Sequence, residues 1–436
     1  MSDQLTRRKF IGRMAAAGAV ASVAAGGPLS QVAQAATKLP NPSSSGLEHV
    51  VVVMMENRSF DHFLGWLPKA NGEQAGLTYY DKLNQPHTTY HLTDYQNCTK
   101  EDPDHSYDGA RIQYDNGACD GWLKAGTNDL FPIGYYEQND LSFMGKAALD
   151  WTVCSNYFAG LLAPTYPNRF YQHAAQTDRL DNSTTVSSLP TIWDRLAAAG
   201  LNGRYFYNDI PFTALWGSKY LDISRPYTEF LGLCATGLLP PVSLVDPKFV
   251  DETSGVSNDD HPHADIRNGE AFLNQVYTAL TESPAWRNTV LVINFDEWGG
   301  FFDHVPPPLR PIPPGDKAAG SDGRIGFRVP SLVISPFAQR THIATAEFDH
   351  TSILKMIEWR WNLSPLTVRD ASANNLATVL DFNQMDLQAP KYLVPSGPFG
   401  GACATAAVSS LPGASNEQTE WMAVQALATQ YGFPIY

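Results

Sequence analysis

The chain has 436 residues, with 44 acidic against 30 basic side chains and a formal net charge of −14 at pH 7. That length suits one large α/β domain with insertions, or two domains. The acidic balance argues against non-specific nucleic-acid binding, which rests on neutralising phosphates with Lys and Arg, yet it leaves room for small phosphorylated substrates handled through a metal.

At the N-terminus, Thr6-Arg7-Arg8-Lys9-Phe10 precedes a modest apolar stretch, Met14 to Ala25, and Ala33-Gln34-Ala35 offers a small-residue cleavage site. The pattern predicts an export signal over residues 1–35. Its paired arginines resemble a twin-arginine signal, an address read by the machinery that exports folded proteins. The expected location is therefore periplasmic or secreted. The apolar stretch is shorter than a spanning helix requires, so no stable membrane anchor is expected.

Val50 to Met55 is an apolar run with four consecutive valines, which suits a strand buried on both faces of a parallel sheet. It stops at Glu56-Asn57, and Arg58, Ser59, Asp61 and His62 follow. Ligands of open α/β sheets sit beyond the carboxyl ends of strands. A carboxylate beside an amide oxygen placed there can hold a hard cation. The same residues also fit an ordinary strand end, with Glu56 pairing with Arg58 or capping the next helix.

Residues 69–145 have few aliphatic runs and many Tyr, Asp, Asn, Gln, His and Gly, and are expected to form an insertion over the sheet. His105 lies there, in Asp104-His105-Ser106-Tyr107-Asp108. The five cysteines show no zinc-ribbon spacing. Cys98 and Cys119 flank the polar segment and are candidates for a disulfide after export, whereas Cys154 reads as a small buried residue.

Trp151 to Cys154 is a further strand candidate, followed by Ala163-Pro164-Thr165-Tyr166-Pro167-Asn168-Arg169. Two prolines brace Thr165. A rigidly presented hydroxyl beside an arginine suits a phosphoryl-transfer nucleophile; equally, Thr165 fits the cap of a helix starting near Asn168 or Arg169. Leu189 to Ala199 is expected to be helical and Arg204 to Tyr207 a strand. Asp259-Asp260-His261-Pro262-His263 precedes a helical pattern, Gly269 to Leu280, and a histidine among aspartates at a helix entrance can act as an oriented acid or base.

Val290 to Phe295 is a second apolar run, and it ends in Asp296-Glu297-Trp298-Gly299-Gly300. The glycine pair allows the turn that brings both carboxylates together. Four oxygen donors, Glu56, Asn57, Asp296 and Glu297, carry too much negative charge to coexist dry without a cation. Oxygen ligands favour Ca, Mg or Mn, without excluding Fe or Zn. Beyond this, Val329 to Ser335 reads as a strand, Asp349-His350-Thr351-Ser352 opens a helix from Ile353 to Trp361, and residues 386–436 form a loop-rich extension with a helix from Glu417 to Thr429.

Five segments coincide in order: Glu56-Asn57-Arg58-Ser59-Phe60-Asp61-His62; Pro164-Thr165-Tyr166-Pro167-Asn168-Arg169; Asp260-His261-Pro262; Asp296-Glu297-Trp298-Gly299-Gly300-Phe301-Phe302-Asp303-His304; and Asp349-His350-Thr351-Ser352. Together they resemble the bacterial phosphoesterase family of phosphatidylcholine-type phospholipases C and respiratory-burst-inhibiting acid phosphatases. The resemblance spans residues 46–385 and implies an α/β fold, alkaline-phosphatase-like, with a central mostly parallel β-sheet flanked by helices. It implies a divalent metal held by Glu56, Asn57, Thr165, Asp296 and Glu297, with Thr165 also the nucleophile. His261, and less directly His105 and His350, would steady the transferred group or protonate the leaving alcohol, and Arg169 would either clamp phosphate or brace its loop. The substrate is expected to be a phosphatidylcholine-like diester, with a phosphomonoester as the alternative and a non-catalytic metal-binding protein as a third reading. A choline head group calls for aromatic faces, and Trp122, Tyr135, Tyr136, Trp298, Phe301 and Phe302 are the candidates.

Overall fold

The computed structural model describes residues 38–250, 254–403 and 417–436, and Thr37–Tyr436 forms one compact unit. The expected export signal over residues 1–35 lies outside the described residues. Eight strands build the main sheet: β1 (His49–Met55), β2 (Thr152–Cys154), β3 (Arg204–Tyr207), β4 (Ser224–Pro226), β5 (Val242–Val245), β6 (Thr289–Phe295), β7 (Ser331–Ile334) and β8 (His342–Ala344). Their spatial order is β8-β2-β7-β6-β1-β5-β3-β4. Only β7 runs against its neighbours in this sheet. The expected α/β class with a mostly parallel sheet is thus what the chain forms.

The valine run of β1 occupies the middle of the sheet because it has no polar face to offer water. It pairs in parallel with β5 on one side and β6 on the other, Val50 opposite both Val242 and Val290. Every residue of β6 and all but His49 of β1 are buried. Helices cover the sheet, among them α1 (Thr165–Ala174), α2 (Ile266–Thr281) and α3 (His350–Trp361). Among the described residues, no helix is long and apolar enough to cross a membrane.

Several boundaries move for local reasons. The helix expected from Leu189 begins at Ile192, because Thr191 and Asp194 form a reciprocal cap. The helix expected from Asn168 begins at Thr165 with Pro164 as its cap residue. Pro167 is tolerated in the first turn, where a missing N–H costs nothing. The strands Ser224–Pro226, Val242–Val245 and His342–Ala344 and the helix Tyr227–Thr236 are additional to those expected. The disulfide also differs: Cys98 is bonded to Cys403, and Cys119 is a buried free thiol. The tail reaches Cys98 because Gln96 exchanges hydrogen bonds with Gly401, donating to its carbonyl at 2.7 Å and accepting from its N–H at 3.1 Å.

Candidate metal and phosphoryl-transfer site

Three adjacent parallel strands end in carboxylates. Beyond β1 lie Glu56 and Asn57, beyond β5 lies Asp246, and beyond β6 lie Asp296 and Glu297, all fully buried. Register dictates the meeting: Met55 faces Phe295, and the Asp296 N–H donates to the Met55 carbonyl at 3.0 Å. The chain then turns. Asn57 has φ of +59° and its N–H donates to Asp296 Oδ1 at 3.2 Å. Gly299 has φ of +63°, and a Cβ there would stand 2.1 Å from the Asn57 carbonyl oxygen. The glycine is required by that close approach as well as by its dihedral.

Thr165 arrives from the opposite direction as the first residue of α1. Its Oγ1 lies 3.4 Å from Asn57 Oδ1. The loop that presents it is pinned by Asn168, whose Oδ1 accepts from the Leu161 N–H at 2.8 Å and whose Nδ2 donates to the Ala163 and Pro164 carbonyls. Asn168 therefore does for this loop what a helix cap does for a helix end. The structure brings Glu56, Asn57, Thr165 and Asp296 together from three separate parts of the chain, with Glu297 next to Asp296 and its Oε2 accepting from the Gly299 N–H at 2.8 Å.

Arg169, one turn further along α1, is also fully enclosed. Its Nε lies 3.0 Å from Glu56 Oε1 and 3.3 Å from Asp296 Oδ2, and Nη1 lies 3.1 Å from Asp246 Oδ1. Nη2 donates to the Met54 carbonyl at 3.2 Å. Burial works against its charge, but the three carboxylates outweigh that and hold its pKa above the ordinary value. Of the two roles expected for Arg169, the geometry favours the brace: its donors are spent on the ends of β1, β5 and β6. Asp246 escaped the sequence reading, although Val242 to Asp246 repeats the pattern of an apolar run ending in a carboxylate.

The histidines divide into two kinds. His350 is buried, with Nε2 2.7 Å from the Asp296 carbonyl and Nδ1 3.2 Å from the Tyr157 hydroxyl. Burial pushes its pKa down to about 4. A neutral ring tied to backbone holds Asp296 in place, which favours a structural role for His350 over one on the transferred group. His105 and His261 instead approach from the loop around Asp102–Ser106 and from the loop before α2. Each has Nδ1 within reach of a backbone carbonyl, Pro103 at 2.8 Å and Pro262 at 3.0 Å. His105 Nε2 is 3.5 Å from Asn57 Nδ2. Asp102, which the sequence reading also passed over, lies beside them with Oδ2 3.9 Å from His261 Nε2.

The six aromatic candidates for a head-group cage are core residues, none more than 8% exposed. Phe301 stacks on His62 at 3.8 Å and lies 4.8 Å from the Arg58 guanidinium, and the Trp298 indole donates to Gln113 at 2.8 Å. A ring whose faces are already covered cannot receive a choline, so this expectation is corrected.

The donor set fits a hard divalent ion. Glu56, Asn57, Thr165, Asp296 and Glu297 offer only oxygen, and Arg169 brings a single positive charge to Glu56, Asp246 and Asp296 together. A parallel sheet with buried oxygen donors and a presented hydroxyl at its carboxyl edge is an arrangement able to carry phosphoryl transfer, and the comparisons place the chain among phosphoric ester hydrolases. The Phosphoesterase family matches residues 47–364, and the chain belongs to that family. It is 32% identical to non-specific phospholipase C1 of Arabidopsis thaliana, over 77% of this chain and 71% of that protein. It is 30% identical to phospholipase C B of Mycobacterium tuberculosis, over 87% and 86%. Among solved structures, a phosphonate monoester hydrolase of Agrobacterium radiobacter aligns with 77% of each chain at 10% identity and a TM-score of 0.38.

Proposed function

We propose that the chain is an exported, metal-dependent phosphoesterase of phospholipase C type, acting on phosphatidylcholine-like diesters through a phosphothreonine at Thr165. The observation that carries this reading is the Thr165 hydroxyl, held 3.4 Å from Asn57 Oδ1 beside the carboxylates that end β1 and β6. The names of the relatives support the substrate class. The arginine-pair leader and the Cys98–Cys403 disulfide support export to an oxidising compartment.

Glu56, Asn57, Thr165, Asp296 and Glu297 would hold the ion. When bound, it would lower the pKa of the Thr165 hydroxyl and take up charge on a phosphoryl oxygen. Thr165 Oγ1 attacks phosphorus in line, the bond to the leaving alcohol breaks as the Thr165–phosphorus bond forms, and the hydroxyl's proton passes by way of His261 to the departing alcohol. His105, whose Nε2 lies 3.5 Å from Asn57 Nδ2, and His261 beside it steady the phosphoryl group. Arg169 and His350 keep the strand ends in register while charge moves. Water then displaces the phosphoryl group, and Thr165 regains its proton.

Thr165→Ala is expected to lower turnover of p-nitrophenylphosphorylcholine by roughly 10³-fold or more while bound metal is retained. Activity near that of the unaltered protein would remove Thr165 as the nucleophile. A second reading, hydrolysis of phosphomonoesters at the same site, is favoured by the burial of all six aromatic cage candidates. Preference for p-nitrophenyl phosphate over the choline diester would select it.

A further inference from the structure

We infer that Asn182 is a positioning residue for Thr165, capping the first turn of α1 from outside the helix, and that the C-terminal helix orients it through Glu420. The inference rests on the reading of Thr165 as the nucleophile.

The first turn of α1 has no cap of its own. The leading amides of a helix find no partner within it, and the residue before the first turn ordinarily supplies one from its side chain. Here that residue is Pro164, which makes no such bond. Asn182 supplies it from a loop that lies further along the chain: its Oδ1 accepts from the Tyr166 N–H at 2.8 Å. Tyr166 follows Thr165 directly, so this bond fixes the backbone from which the hydroxyl projects. Asn168 serves the Ala163 and Pro164 carbonyls on the other side of Thr165. The nucleophile is thus held between two asparagines, one donating and one accepting.

The orientation of Asn182 is set by α4 (Glu417–Gln430). Its Nδ2 donates to Glu420 Oε2 at 2.5 Å. An ionised carboxylate only accepts, so the amide nitrogen faces Glu420 and the amide oxygen is turned to Tyr166. The loop itself is tied to α1. Arg179 donates to the Ser183 carbonyl and, at 2.8 Å, to the Thr185 carbonyl, and its guanidinium lies 4.2 Å from the Phe170 ring.

The same end of α4 reaches α1 through a second group. Trp421 is fully buried, stacks on Phe249 at 4.0 Å and lies 5.3 Å from the Tyr166 ring. Phe249 in turn lies 4.6 Å from the Arg169 guanidinium. At the far end of α4, the Tyr207 hydroxyl donates to the Pro434 carbonyl at 2.7 Å. Packing of α4 is accounted for by Trp421; Glu420, half-buried beside it, adds a polar contact directed through Asn182 at the amide next to Thr165. One cap adds little to the stability of a unit this large, whereas a shift of about 1 Å at a reacting group can cost about 10²-fold in rate. The two effects therefore separate by experiment.

The test follows turnover and melting of the full metal-loaded chain, using whichever of p-nitrophenylphosphorylcholine and p-nitrophenyl phosphate the unaltered protein hydrolyses faster. Asn182→Ala should lower kcat roughly tenfold or more and Glu420→Ala roughly threefold, with KM within about twofold. Melting should stay within about 2 °C of the unaltered protein. Asn182→Asp alone sets two carboxylates against each other and should lower kcat. Adding Glu420→Gln to it faces a donor with an acceptor again, and kcat should recover to within about threefold. A side chain that served stability alone would move melting and leave kcat and this recovery untouched. Glu420 is half-buried, so its variant and the paired exchange report even where Asn182→Ala fails to fold. Unchanged kcat in Asn182→Ala and Glu420→Ala, or a loss that the exchange does not recover, overturns the positioning role. If Thr165→Ala is inactive in the same assay, the proposed function stands despite that result. Turnover kept in Thr165→Ala removes the nucleophile and this inference with it, and no turnover of either ester by the unaltered protein overturns both.

Discussion

Arg169 offers the sharpest test of how the site is held together. Arg169→Gln removes the buried cation shared by Glu56, Asp246 and Asp296 and leaves three carboxylates facing one another in the interior. Breaking a buried ion pair from one side costs about 3–5 kcal/mol. A unit of about 400 residues has an unfolding entropy near 0.8 kcal/mol/K, so the melting temperature should fall by roughly 4–6 °C. Calorimetry on chelator-treated protein measures this directly. Asp246→Asn in the same background should recover part of the loss, because one of the opposed charges is gone, and the coupling between the two changes should amount to about 1–3 kcal/mol. Arg169→Lys should fall between, since an ammonium cannot span three carboxylates with a planar fork. Melting of Arg169→Gln within 1 °C of the unaltered protein would refute the view of Arg169 as the brace of the three strand ends.

Three further outcomes follow from separate features. Glu270 is buried, its Oε2 accepts from the Met144 N–H at 2.9 Å, and burial pushes its pKa up to about 7 from an ordinary 4.5. The folded state thus holds a proton that the unfolded chain has released, so stability falls as pH rises from about 4.5 to 7, by about 3 kcal/mol in all. Glu270→Gln should flatten that slope in pH-dependent urea melts. Gly299→Ala places a Cβ against the Asn57 carbonyl at positive φ, a strain of about 1 kcal/mol or more before the clash is counted; kcat/KM should drop at least roughly tenfold as Asn57 shifts. A non-reducing peptide map should join the Cys98 and Cys403 peptides and leave Cys119 as a free thiol.

What could be read from the sequence was the part written in short, contiguous patterns. Val50 to Met55 is apolar throughout and Val290 to Phe295 at every position but Asn294, and each ends in oxygen donors, so both the strands and the groups at their ends were visible. Asp246 follows the same rule, but Ser243 interrupts its run and Pro240-Pro241 precede it, which disguises a central strand as a loop. Asp102 sits in a polar stretch where one aspartate looks like another; only the fold brings it to His261. The disulfide failed for a related reason. Cys119 is nearer to Cys98 in the chain, but Cys403 is nearer in space, delivered by a tail whose path depends on Gln96 and Asn268. The aromatic residues show the limit of composition, which cannot distinguish a ring lining a cavity from one packed under Arg58.

The position of β1 also governs the order in which this molecule can come into being. Its valines leave the ribosome early, yet the strands that flank it on both sides begin only at Val242 and Thr289. Until then the stretch His49–Met55 is a β-prone, uncharged segment with no native partner, the kind that pairs with other copies when left exposed. Glu56 likewise waits for Asp296 before it meets the carboxylate it must share a cation with. Synthesis and closure of the sheet therefore converge late. A chain interrupted before Phe295 would have neither a sheet centre nor the carboxylates that meet at its edge.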